Sequence, residues 1–206
     1  MRGDKRGRTH FLKAGSSQLA AGFTLIELLV VTGIIVVVSA IILASNSRFG
    51  GVITLENLAY DMALTVRQSQ VYGIAVRRFG ATNYNIAYGM HFESSSPASY
   101  VLFADAAVVN GLYDQGELVQ SSTLQGGYRI SNLCIRPSGG SGSACAAYTC
   151  GLSALDIVFK RPEPDAYIRA NGNQTLNEAA CVIITSPRGD TRSIVVEATG
   201  QISVQQ

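Results

Sequence analysis

The chain has 206 residues, room for one domain with an appendage, and 47% of them are hydrophobic, enough to build a core. The formal net charge is +2, yet Arg2, Lys5, Arg6, Arg8 and Lys13 stand against Asp4 alone before Gly22, a local net of +4 that leaves −2 for the rest. The charge pattern therefore excludes a body that binds polyanions by bulk basicity.

Residues 1–22 read as a basic leader ending in the small residues Ala20, Ala21 and Gly22. From Phe23 to Ala44 the chain is almost continuously apolar, with no proline. At about 1.5 Å per residue, such a helix crosses the roughly 30 Å hydrocarbon core of a bilayer. Basic residues before the span predict a cytoplasmic N-terminus and a body on the far side of an inner membrane. A secretory signal carries its small-residue cleavage site after the apolar run. Here the run is followed by "SNSRFGG", which has no such site, so any cleavage is expected before the run and leaves the helix attached.

Glu27 is the one charged residue inside the span. A carboxylate at membrane depth costs roughly 2.5–3.5 kcal/mol on insertion scales. It is either a side chain reaching the nearby interface or a charge that a partner's cation neutralises.

After Gly50-Gly51, residues 45–79 predict an amphipathic continuation of the helix. Leu55, Leu58, Met62, Val66, Ser69, Gly73 and Val76 recur at three- and four-residue spacing, with Glu56, Asp61, Arg67, Gln68 and Arg77 mostly on other faces. From about residue 80 to 206 the period shifts toward two. "NYNIAYGMHF", "SYVLFAD", "GYRISNLCI", "LDIVFKR", "AACVIITS" and "TRSIVVEA" read as strands, separated by turns such as "SSSPAS", "PSGGSGS" and "PRGD". The expected class is α+β, a long N-terminal helix packed on an antiparallel β-rich head.

The four cysteines, Cys134, Cys145, Cys150 and Cys181, all lie in the last third. An even count beyond a membrane segment predicts an oxidising compartment and two disulfides, with three pairings open. Four buried thiols are the plainer alternative. Zinc is disfavoured, because no CxxC occurs and His91 is the single histidine after the leader.

"GFTLIELLVV", with the basic leader before it, resembles the type III signal of type IV pilins and pseudopilins. The resemblance implies that a prepilin peptidase cuts between Gly22 and Phe23. It also implies that the new amine on Phe23 is methylated, and that Glu27 is the family's assembly glutamate, pairing with a neighbouring subunit's N-terminus. The long helix, the strand-rich head, "VLFADAAVVNGLYDQGE" and the closing "VIITSPRGDTRSIVVEATGQISV" are similar to the GspH/FimT branch of pseudopilins. That likeness covers most of the chain but is strong only over 22–44. It implies a pilin-like fold, a structural and non-enzymatic minor subunit near the tip of a type II secretion pseudopilus, and no cofactor. Its implied partners are other pilin or pseudopilin subunits, the prepilin peptidase, an inner-membrane assembly platform and membrane lipid. The alternatives are a minor pilin that primes a type IV pilus, or a DNA-binding minor pilin.

Other constellations carry less. Asp105, Asn110, Asp114 and Glu117 gather oxygens of the kind calcium takes, but their spacing misses the EF-hand pattern, and a hairpin turn explains "NGLYDQGE" equally well. Arg188 and Arg192 near the last hairpin are the candidate DNA contacts, weakened by Asp190 beside them, and the "RGD" tripeptide itself is most simply a turn. No GxSxG, HExxH or P-loop occurs, and His91 reads as a structural histidine within a strand. No catalytic residue and no metal site is assigned.

Overall fold

The computed structural model describes residues 22–75, 77–80 and 85–206, with the side chains of 45–49 left aside. The leader expected over 1–21 and the predicted core position Val76 lie outside the described residues. The chain divides into two units, 1–45 and 46–206.

One α-helix, α1, runs Leu25–Ile74. Thr24 opens it: its Oγ1 accepts from the Glu27 amide at 3.2 Å, supplying a partner for a donor that a helix start leaves unpaired. In the first unit, none of Leu25–Ala44 is buried, and this is a helix long and apolar enough to cross a membrane. The Thr32 hydroxyl turns back onto the carbonyls of Leu28 (2.9 Å) and Leu29 (3.0 Å), so that polar group needs no outside partner.

The described residues of the second unit contain ten strands. β1 (Ala87–Glu93), β2 (Ser99–Asp105) and β3 (Leu118–Thr123) form an antiparallel meander. β4 (Arg129–Pro137) and the two-residue β5 (Thr149–Cys150) follow, with a 3-10 turn Cys145–Ala147 between them. β6 (Ala154–Phe159), β7 (Ala166–Ala170), β8 (Asn177–Thr185), β9 (Thr191–Glu197) and β10 (Ile202–Gln205) complete the chain. All pairings are antiparallel, in the order β10-β9-β8-β7-β6-β1-β2-β3, and β4 also pairs with β8. β8 meets β7 at one residue, Asn177 opposite Ile168, where the Asn177 side-chain amide donates to the Ile168 carbonyl at 3.2 Å.

Period-two alternation sorts the strand residues. Tyr88, Met90 and Phe92 of β1 join Leu155, Ile157 and Phe159 of β6 in the main core. Ala87, Phe103 and Val158 form a small cluster of their own. Leu55, Ala59, Met62 and Val66 of α1, each at most 1% exposed, enter the main core. Burying a side chain of this size is worth roughly 1.5–3 kcal/mol. Gly73 permits the closest approach, since a Cβ there would lie 2.3 Å from the Phe159 carbonyl oxygen.

These findings correct the expected α+β class. Ten strands in one antiparallel sheet dominate, and apart from α1 the described residues hold one three-residue 3-10 turn. Nor does the N-terminal helix pack on the strands along its length: the apolar stretch through Ala44 is wholly uncovered and falls in a separate unit, and only the later part, from Leu55, enters the core. The physical reason is composition. A segment apolar on every side has no single face to offer a sheet, and burial begins only where polar residues define one, from Leu55 onward. Sequence periodicity also missed β3, β5, β7 and β10. β3 is largely exposed, β5 and β10 have two and four residues without alternation, and β7 alternates in burial over only five residues, too few to stand out in the sequence.

Candidate functional site

The predicted N-terminal signal occupies the start of α1. Gly22 and Phe23 precede the helix and are exposed, Phe23 to 80%. Glu27 is exposed in the first helical turn, where a negative charge favours the helix dipole. Its carboxylate has no hydrogen-bond or ion-pair partner among the described residues. Thr24 is a residue that the sequence reading passed over. "TLIE" has the Thr-x-x-Glu spacing of a capping box, a signal legible in the sequence, and its Thr24 half forms here, the hydroxyl accepting from the Glu27 amide. Thus the local structure gives Glu27 a place in the first turn but leaves its charge unanswered.

The cysteines form two disulfides, Cys134–Cys150 and Cys145–Cys181. Strand register narrows the pairing, and the 3-10 turn that carries Cys145 completes it. Cys134 on β4 lies opposite both Cys150 on β5 and Cys181 on β8, and Cys145 on the 3-10 turn takes the second of these. Arg136 holds the loop between them. It ion-pairs with Glu197 at 2.5 Å and donates to the Gly142 carbonyl at 2.7 Å and the Tyr148 hydroxyl at 3.2 Å. Burial pushes the Tyr148 hydroxyl above its ordinary range, with the Glu197 charge acting in the same direction.

The oxygen-rich loop between β2 and β3 is organised by its own backbone. Buried Glu117 accepts through Oε1 from the amides of Ala106 (2.9 Å), Ala107 (2.8 Å) and Val108 (3.2 Å), and through Oε2 from Asp114 (3.0 Å). Asp105 accepts from the Asn110 amide at 3.0 Å, and the Asn110 side chain donates to Asp114 at 2.8 Å. The four residues considered for calcium are thus brought together, but as a hydrogen-bonded loop clamp. Among the described residues, no group of three or more His, Cys, Asp or Glu side chains is placed to hold a metal.

At the β8–β9 hairpin, Ser186 and Asp190 close the turn, the Ser186 amide donating to the Asp190 carbonyl at 2.8 Å. Gly189 has φ +94°, which explains a glycine there. Arg192 is drawn inward. It donates to the Thr191 carbonyl at 2.9 Å and lies 4.0 Å from Glu56. Arg188 is exposed on the turn itself.

His91 has a structural setting that its lone position in the sequence did not disclose. Its Nδ1 lies 2.7 Å from Oδ1 of buried Asp156, which also accepts from the Tyr113 amide at 3.2 Å. The Tyr113 ring covers the imidazole at a centroid distance of 5.0 Å. Among the described residues, no hydroxyl or thiol hydrogen-bonds to the His91 ring, so the arrangement ties the β2–β3 loop to β1 and β6.

No protein-family model matches this chain, and no curated protein and no solved structure matches it either.

Proposed function

We propose that this chain is a membrane-anchored structural subunit that assembles with other copies or relatives through its N-terminal helix. In this reading it is a minor pseudopilin of a type II secretion pseudopilus, and a minor subunit priming a type IV pilus is the nearest variant. The observation that carries the proposal is an uncovered apolar helix, Leu25–Ala44, whose one charge is a carboxylate without a partner. A lone carboxylate in hydrocarbon is costly, and a cation from a neighbouring N-terminus at the same depth would remove that cost and fix the register between subunits. Gly22–Phe23 immediately before it supplies such a cation if a prepilin peptidase cuts there. The basic leader favours an inner-membrane orientation with the N-terminus inside. Two disulfides in the body suit an oxidising compartment beyond that membrane.

The test is the intact and N-terminal-peptide mass of the protein from its native membrane. A chain beginning at N-methylated Phe23 is the expected result. A chain that retains residues 1–22 overturns the reading and leaves a membrane-anchored binding domain in its place. A Glu27→Leu variant, correctly processed but absent from the filament, would support the pairing role. Normal incorporation of that variant would remove it.

A further inference from the structure

The β2–β3 loop does more than cover the sheet. Between it and β7 lies an open cleft of about 320 Å³, with Ala87 of β1 and Val158 of β6 among its lining and the 109–111 loop along one side. Its lining carries both signs of charge, Asp105 with Lys160 and Arg169.

Arg169 is held in place. Its Nε donates to the Gln174 side chain at 3.1 Å, and its Nη1 lies 3.4 Å from the Gly111 carbonyl. Gly111 makes this possible: with φ +72°, a Cβ there would stand 2.2 Å from Nη1 and 2.7 Å from Cζ of the guanidinium. The loop backbone is thereby shaped around a fixed cation. Lys160, directly after β6, is exposed at the same cleft and makes no hydrogen bond or ion pair among the described residues. Asp105, 4% exposed, also lines the cleft and is held by the Asn110 amide. A planar guanidinium and an exposed ammonium beside a buried acceptor match a carboxylate that carries a donor group next to it.

We propose that this cleft binds a small carboxylate ligand. Arg169 and Lys160 meet the carboxylate, and Asp105 accepts from an adjacent hydroxyl or N–H group. Sugar acids and the carboxyl end of short peptides share this chemistry. The proposal concerns the body alone and does not depend on how the helix assembles.

The experiment is a ligand-observed NMR titration of the full chain in detergent micelles with glucuronate, glucose and glycylglycine. Saturable binding of glucuronate assigns the cleft to sugar acids. Saturable binding of glycylglycine assigns it to peptide carboxylates. Failure of both, or glucose binding as tightly as glucuronate, overturns the proposal. Lys160→Ala, at an exposed position that the fold does not use, should weaken the bound probe roughly fivefold, and Lys160→Arg should restore it. An unchanged affinity in Lys160→Ala also overturns it.

Discussion

The stretch Leu25–Ala44 and the body 46–206 use the same aliphatic residues to opposite ends. In the first, Ile26, Leu29, Ile35 and Val38 are all about half exposed or more. In the second, Leu102, Leu155, Ile157 and Ile168 are at most 1% exposed. The difference lies in arrangement. In the body, apolar positions alternate with polar ones or fall on one helix face, so a sheet and a helix can close over each other. The span has no polar face, and the described residues of the body do not cover it. Stability of the body should therefore be independent of the span, and the span's function should depend on what surrounds it.

Breaking that comparison begins with its largest expected effects, measured as chemical unfolding of the full chain in detergent micelles. Replacing Cys145 and Cys181 with serine opens the longer disulfide loop, a sequence separation of 36, and should cost about 4 kcal/mol. The pair Cys134 and Cys150, at a separation of 16, should cost about 3 kcal/mol. A reversed order would mean that chain entropy does not govern these staples.

Met62→Ala should cost about 3 kcal/mol, because Met62 is fully buried against the sheet. Val36→Ala, at a position 66% exposed, should leave unfolding of the body within about 0.5 kcal/mol of the parent. Equal losses in the two variants would sink the claim that span and body are energetically separate.

Glu117→Gln sharpens the picture within the body. The carboxylate accepts from four loop amides, and an amide side chain cannot accept equally at both ends. A loss of about 2 kcal/mol is expected, with faster amide exchange at Ala106, Ala107 and Val108. Protection at those amides equal to the parent's would show that the loop is held some other way.

The smallest effect concerns Asp105. Burial raises its carboxyl above the ordinary 3.8, against the opposing amides of Gly111 and Asn110. A folded state that holds this proton more tightly than the unfolded chain is favoured below the ordinary value. That advantage is lost as pH rises through the folded value. Asp105→Asn does not ionise, so its stability relative to the parent should improve between pH 3 and pH 7. A relative stability that falls over that range contradicts the sign.

Much of this was legible in the sequence because it is local. The unbroken apolar run, the lone Glu27 inside it and the Gly22–Phe23 junction need no tertiary context. Six strand segments announced themselves by alternation. Leu55, Met62 and Val66 were readable as a core face because helix periodicity alone places them together. Even the Thr24 cap was written in "TLIE", since a capping box is a four-residue signal.

What the sequence left open depended on residues far apart in the chain. The cysteine pairing followed from the register of β4 between β5 and β8 and from the 3-10 turn that carries Cys145, which no spacing rule supplies. His91 met Asp156 across 65 positions because β1 and β6 are neighbours. Arg169 reached Gly111 across 58 because β7 lies beyond β6 and the β2–β3 loop folds back over them. The sequence by itself determined which segment can sit in a membrane and which can form a core, since both rest on local periodicity and transfer energy. Only the tertiary structure decided the class, the staples and the cleft, because strand order and register set which distant side chains share a face.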